Sequence, residues 1–248
     1  MASQALPVRG ARLGRAVGAD AVRGVRAAVI VLPAALPVST RHGSALSTAA
    51  VRPIVRRLAR AGADDGLVAH VVRYRFRGWN GGHAHPAQDA AWAADEIVRR
   101  YGDVPVCLVG YDMGARAALH AAGHPAVNAV VALAPWLPPG PEPDPVKQLA
   151  GRHVLIAHGT DDSACDPELS YRYAARAKKI NPDVCRFEVH SDGHALRHHR
   201  PEVLALTQDF TLGTLCAHPL SRPVVDALAA PPPLGLRMPL ASGFGRGR

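Results

Sequence analysis

Through the middle of the chain, apolar residues fall in short unbroken runs. The segments between the runs carry apolar residues at helical spacing. Six runs predict buried strands: RAAVIVLP (26–33), LVAHVVRYRF (67–76), VPVCLVG (104–110), VNAVVALAPW (127–136), RHVLIAHG (152–159) and CRFEVHS (185–191). In AAVRPIVRRLARAG (49–62), Val51, Ile54, Val55 and Leu58 share one helical face, Pro53 suits the first turn and Gly62 stops the helix. PAQDAAWAADEIVRRYG (86–102) opens on proline, carries its acids early and its arginines late, and so complements the helix dipole. Further helices are predicted at 114–123, 167–180 and 200–213.

Strands apolar on both faces and separated by helices define an α/β protein: a mostly parallel sheet of at least six strands, covered by helices on both faces. In such sheets the chemistry gathers at the carboxyl ends of the strands. This body is expected to span 25–214. Residues 1–24 read as a basic flexible arm, and 215–248, rich in proline and glycine, as a disordered tail. No internal repeat is present.

Composition narrows the class. Hydrophobic residues make up 48% and aromatics 5%, so the core must be built from Ala, Val and Leu. The net charge of +9 invites a nucleic-acid partner, but most of it lies at the two ends. Arg9, Arg12, Arg15, Arg23 and Arg26 face only Asp20, and Arg222, Arg237, Arg246 and Arg248 face only Asp226. The body holds no basic stripe with interleaved aromatics, so no nucleic-acid partner is expected. No run approaches a membrane span, and the apolar run at 27–38 starts late and contains two prolines, unlike a signal peptide. A cytoplasmic, non-membrane protein is expected. Cys107, Cys165, Cys185 and Cys216 are widely spaced without a C-x-x-C pair, which argues against disulfides and zinc. Cys107 and Cys185, inside apolar runs, read as small core residues.

The candidate chemistry starts after the third strand, in VCLVGYDMGARAAL (106–119). Gly110-Tyr111-Asp112-Met113-Gly114 has the frame of a strand–nucleophile–helix elbow, with aspartate where serine is expected. The turn needs small residues two before and two after the nucleophile, and Gly110, Gly114 and Ala115 meet that need. After the fifth strand, HGTDDSACDP places Asp161 and Asp162 at the strand end, with Asp166 as the cap of the next helix. After the sixth, SDGHAL places His194 in a loop. Nucleophile, acid and histidine thus follow one another in the order of a hydrolase triad.

On GYDMGARAAL, ALAPWLP, LIAHGTDD and SDGHAL, residues 27–213 resemble the α/β-hydrolase superfamily, in particular its small cap-less bacterial members. The resemblance implies that the acid stands four residues after His158, at Asp162. It also implies an oxyanion hole formed by the N–H groups of Met113 and Ala35, although the usual His-Gly of that loop is replaced by Pro33 and Ala34. An aspartate nucleophile suits attack on an sp³ carbon, giving an alkyl-enzyme ester that water activated by His194 then hydrolyses. Epoxide hydrolases and haloalkane dehalogenases of the same superfamily work this way. Their leaving-group donors come largely from a cap, and here the matching segment, LPPGPEPDPVK (137–147), has neither tyrosine nor tryptophan.

Trp79 and Asn80 are the nearest substitutes. Trp79 reads first as a loop anchor and second as a substrate contact, and Tyr111 is a second candidate contact. Asp112 and Asp162 on either side of His194 should both raise its pKa. The pairs His83/His85 and His194/His198, with His199, lack an acid at ligand spacing, so no metal and no cofactor are expected. The expected function is a hydrolase acting on a small, largely apolar molecule. The alternative is a non-hydrolytic homologue that binds, isomerises or assists.

Overall fold

A computed structural model of the chain describes residues 10–19, 24–140 and 144–246. Its strands are β1 (Arg12–Leu13), β2 (Val17–Gly18), β3 (Ala27–Leu32), β4 (Leu67–Arg73), β5 (Val106–Tyr111), β6 (Val127–Leu133), β7 (His153–Gly159), β8 (Val184–Val189) and β9 (Met238–Pro239). The helices are α1 (Ala45–Ala50), α2 (Arg52–Ala61), α3 (His85–Tyr101), α4 (Met113–Ala121), α5 (Pro167–Lys178), α6 (Arg200–Leu215) and α7 (Arg222–Ala229). The strands form one sheet in the order β1-β4-β3-β5-β6-β7-β8-β9, with β2 also paired to β4. From β4 to β9 all pairings are parallel, whereas β1 and β2 run antiparallel to β4.

The unbroken apolar runs are explained by burial on both faces. Ala28, Ile30, Leu108, Val130 and Ile156 pack under α3, α4 and α5. Their neighbours Val29, Val31, Cys107, Val131 and Leu155 pack under α2, α6 and α7 on the opposite face. Cys107 and Cys185 are fully buried among these aliphatic side chains, and all four cysteines are free thiols. No helix of the described residues is long and apolar enough to cross a membrane.

The chain starts the parallel sheet at β3, steps to β4 on one side, then returns to place β5 on the other. The crevice between the carboxyl ends of β3 and β5 is therefore the switch point at which such sheets bind ligands. Ala35 follows β3 and Asp112 follows β5, so the two face each other across it.

The terminal segments differ from expectation. Residues 10–19 of the basic arm carry β1 and β2 at the sheet edge, while Arg9, Asp20 and Arg23 lie outside the described residues. The tail expected to lack structure holds α7 and β9. Val224 and Ala227, three apart on α7, are fully buried, as is Leu236. The buried guanidinium of Arg186 on β8 donates to the Leu236 carbonyl at 2.9 Å, and Arg237 pairs with Glu168 and Glu188. A few well-placed contacts order a segment too short and too proline-rich to show a period.

Candidate active site

The elbow forms because the backbone at Asp112 takes φ 56° and ψ −123°, a strained conformation for a residue with a Cβ. Close packing holds it there. A Cβ on Gly110 would collide with Gly114 and Ala115, and one on Gly114 with the Leu32 and Pro33 carbonyls. The Asp112 N–H donates to the Leu133 carbonyl at 3.0 Å, and its own carbonyl accepts from Ala115 and Trp136. The carboxylate is thus lifted to the sheet edge, with its side chain 14% exposed.

His194 meets it from the loop after β8. Its Nε2 stands 3.5 Å from Asp112 Oδ1, an ion-pair separation longer than a formed hydrogen bond, and its Nδ1 stands 2.8 Å from Asp162 Oδ2. The loops carrying the acid and the histidine are tied together. Asp161 N–H donates to the Asp192 carbonyl at 3.0 Å and Ser191 N–H to Thr160 Oγ1 at 3.1 Å. Asp161 itself points away, its carboxylate accepting from Thr160 Oγ1. Tyr111 donates its hydroxyl to the His194 carbonyl at 2.8 Å, and the two rings lie 5.5 Å apart.

Asp162 is saturated with donors. Its Oδ1 accepts from the N–H groups of Ala164 and Cys165, both at 2.9 Å, and its Oδ2 from His158 at 3.1 Å as well as from His194. Burial pushes this carboxyl upward, but the hydrogen bonds from His158, Cys165 and His194 outweigh it and hold the pKa well below the carboxylate range. His194 moves the other way. The Asp112 carboxylate first, then the Cys165 side chain and Asp162, raise it to about 11 against the opposing effect of burial. These neighbours favour the imidazolium form.

Three residues to which the sequence reading gave no site role complete the site. His158, fully buried at the end of β7, braces Asp162 and lies 2.9 Å from Ser170 Oγ through its Nδ1. Asp192 organises the histidine loop by accepting from the N–H groups of Gly193, Arg197 and His199. Cys165 brings its thiol against both Asp112 and His194, the three donor atoms lying within 4.8 Å of one another. A buried histidine four residues before an acid was a readable sign of the first; the other two carry no motif.

Ala35 sits in the loop after β3, pinned by backbone hydrogen bonds between Leu36 and both Arg77 and Trp79, each 2.7 Å. The Trp79 N–H thus ties this loop to the one after β4. Among the described residues, the N–H groups of Ala35 and Met113 donate no hydrogen bond. Trp79 also lines a cleft of about 580 Å³ with Pro37, Val38, Ala84, Arg116 and Trp136. The Arg116 guanidinium lies 3.9 Å from the Trp79 ring centre and 5.3 Å from that of Trp136, and pairs through two hydrogen bonds with buried Asp144. That pair fastens the segment at 137–147, of which 141–143 are outside the described residues. His83 and His85 stack on each other, and His198 bonds to the Ser191 carbonyl.

No protein-family model matches the sequence, and no curated protein matches it significantly. Solved structures do. The Pyrococcus furiosus esterase Pf2001 superposes with a TM-score of 0.63 at 15% identity, over 78% of this chain and 84% of that one. XC6422 from Xanthomonas campestris, described as an α/β serine hydrolase without a lid, gives 0.59 at 18% identity over 84% and 91%. Est1E from Butyrivibrio proteoclasticus, solved with ferulic acid, gives 0.57 at 14% identity over 84% and 95%. The chain has the α/β-hydrolase fold.

Proposed function

We propose that the protein is a hydrolase whose Asp112 forms an alkyl ester with a small, largely apolar substrate. The observation that carries this reading is a free-edged carboxylate on a strained elbow, facing an imidazole that a saturated Asp162 orients. An Asp112 oxygen attacks an sp³ carbon, a C–O bond forms, and the bond to a halide or epoxide oxygen breaks with its electron pair on the leaving atom. Esterification removes the charge of Asp112, the main cause of the raised His194 pKa. The Nε2 proton then passes to solvent. Neutral His194 takes a proton from water, whose oxygen attacks the ester carbonyl. The N–H groups of Met113 and Ala35 receive the developing oxyanion. Collapse expels the alkoxide, which takes the proton back from His194, and the acid proton left on the Asp112 carboxyl passes to His194, restoring carboxylate and imidazolium.

Direct ester hydrolysis fits less well, because acylation of a carboxylate gives an anhydride and the resting imidazolium is no base. Trp79 and Trp136, with Pro37 and Val38, form an apolar wall in a cleft whose lining does not include Asp112 or His194. Four free thiols suit a reducing cytoplasm. The absence of tyrosine and tryptophan from 137–147 favours the second reading, a non-hydrolytic binding protein.

One experiment separates the two. His194→Ala is incubated with a panel of haloalkanes and epoxides, digested and weighed by mass spectrometry. The hydrolase reading expects an alkyl adduct on the peptide containing Asp112, absent from Asp112→Asn. An unmodified peptide across the panel removes the reading.

A further inference from the structure

We propose that Asp112, Cys165 and His194 form a binding site for one divalent transition-metal ion of the zinc type. Among the described residues, they are the one group of three or more His, Cys, Asp or Glu side chains whose donor atoms converge closely enough to share an ion. Ligands at about 2.0–2.1 Å (N, O) and 2.3 Å (S) around a tetrahedral ion lie roughly 3.4 Å from one another. His194 Nε2 and Asp112 Oδ1, 3.5 Å apart, already have that separation. The Cys165 thiol lies within 4.8 Å of both and supplies the third donor.

The surroundings are those of a ligand set. A metal-binding histidine gives its other ring nitrogen to a carboxylate, which fixes the ring and aims the ligating nitrogen. Asp162 does this to His194 at 2.8 Å. Asp162 also holds the backbone N–H of Cys165 at 2.9 Å, and His158 holds its carbonyl at 3.1 Å. One buried carboxylate therefore positions two of the three ligands. Thiolate and imidazole select zinc or cobalt over magnesium and calcium. The charges of Asp112 and a Cys165 thiolate balance a dication. Binding sends the Sγ proton and the Nε2 proton to solvent. Side-chain exposures of 27% at His194 and 14% at Asp112 leave a fourth position open to water.

An ion here occupies the nucleophile and the base together, so it blocks the chemistry proposed above. That consequence rests on the reading of Asp112 as nucleophile; the binding itself does not. The test uses the full chain, reduced and stripped with a chelator. Titration with Co²⁺ should give a thiolate-to-cobalt charge-transfer band at one ion per chain. The band should vanish in Cys165→Ser and persist in Cys216→Ser, which removes the partly exposed thiol elsewhere. Calorimetry with Zn²⁺ should show at least tenfold weaker binding for Asp112→Asn, a variant on a different element, in case Cys165→Ser folds poorly. No band in the wild type, or a band that survives Cys165→Ser, overturns the proposal. Metal binding without the Asp112 adduct sinks only the hydrolase reading, and an adduct without metal binding sinks only this one.

Discussion

Asp112 and Asp162 are the same residue type on either side of one imidazole, in opposite surroundings. Asp162 is fully buried and accepts from four donors, two backbone N–H groups and two histidines. Asp112 is partly exposed and has a single ionic neighbour at 3.5 Å. A carboxylate whose lone pairs are all engaged is a poor nucleophile and a good orienter. One with free lone pairs, raised on a strained turn, can attack. The difference lies in the number of donors and not in the residue, and the proposed roles of attacker and orienter rest on it.

The comparison breaks most visibly in turnover. Asp112→Asn keeps the volume of the elbow residue but removes the attacking carboxylate. Loss of a nucleophile costs roughly 10⁴- to 10⁶-fold in kcat. The thermal stability of this variant should fall by less than that of Asp162→Asn, because the Asp112 carboxylate is partly exposed and faces His194 at 3.5 Å without the backbone N–H donors that Asp162 has. A variant that retains activity on the substrates that alkylate the protein would end the reading of Asp112 as nucleophile.

Asp162→Asn should show the complementary pattern. An amide presents an N–H where His194 or the backbone N–H groups also donate, so the imidazole loses its fixed tautomer. The matching change in a serine triad lowers kcat about 10⁴-fold. Here stability should fall as well, by about 3 kcal/mol, the figure for breaking a buried pair. Urea unfolding of both aspartate variants side by side checks it. Equal stability losses would mean that the two carboxylates are not differently engaged.

The pH dependence sharpens the same contrast. His194 is raised to about 11 when folded, above its ordinary 6.5. Its contribution to stability is therefore fully present below about pH 6.5 and lost as pH rises through about 11. Asp162 is depressed, so its contribution is present above the ordinary carboxylate range and lost as pH falls through its folded value. Removing the Asp112 charge should bring the His194 titration down toward its ordinary value. Imidazole NMR on metal-free wild type and Asp112→Asn reads this shift directly. An unmoved titration would show that Asp112 does not govern the base.

Much of the architecture was legible because buried parallel strands must be apolar on both faces. The runs at Ala27–Leu32 and Val127–Leu133 are short and rich in β-branched residues, as such strands are. The elbow was legible from Gly110 and Gly114, whose close packing forbids side chains, and Asp162 and His194 from their places after successive strands. Arm and tail were misread because β1, β2 and β9 are two residues each and draw their order from neighbours. Cys165 was invisible for a related reason. It acts through where the Asp162 turn places its thiol, a fact of backbone geometry and not of spacing.

Tyr111 offers the smallest effect and a clean one. Its hydroxyl holds the His194 carbonyl at 2.8 Å, so it positions the loop without touching either ring nitrogen. Tyr111→Phe removes one neutral hydrogen bond, worth about 1 kcal/mol, while keeping the ring against the imidazole. His194 keeps its bond to Asp162 but loses the tether on its own carbonyl, and its approach to Asp112 loosens. That approach matters in the hydrolytic step, where the base must face the esterified Asp112. The variant should accordingly slow release of the alkyl ester about fivefold while its formation stays at the wild-type rate. Single-turnover kinetics separates the two steps. A variant slowed in formation instead would mean that Tyr111 serves the nucleophile rather than the base.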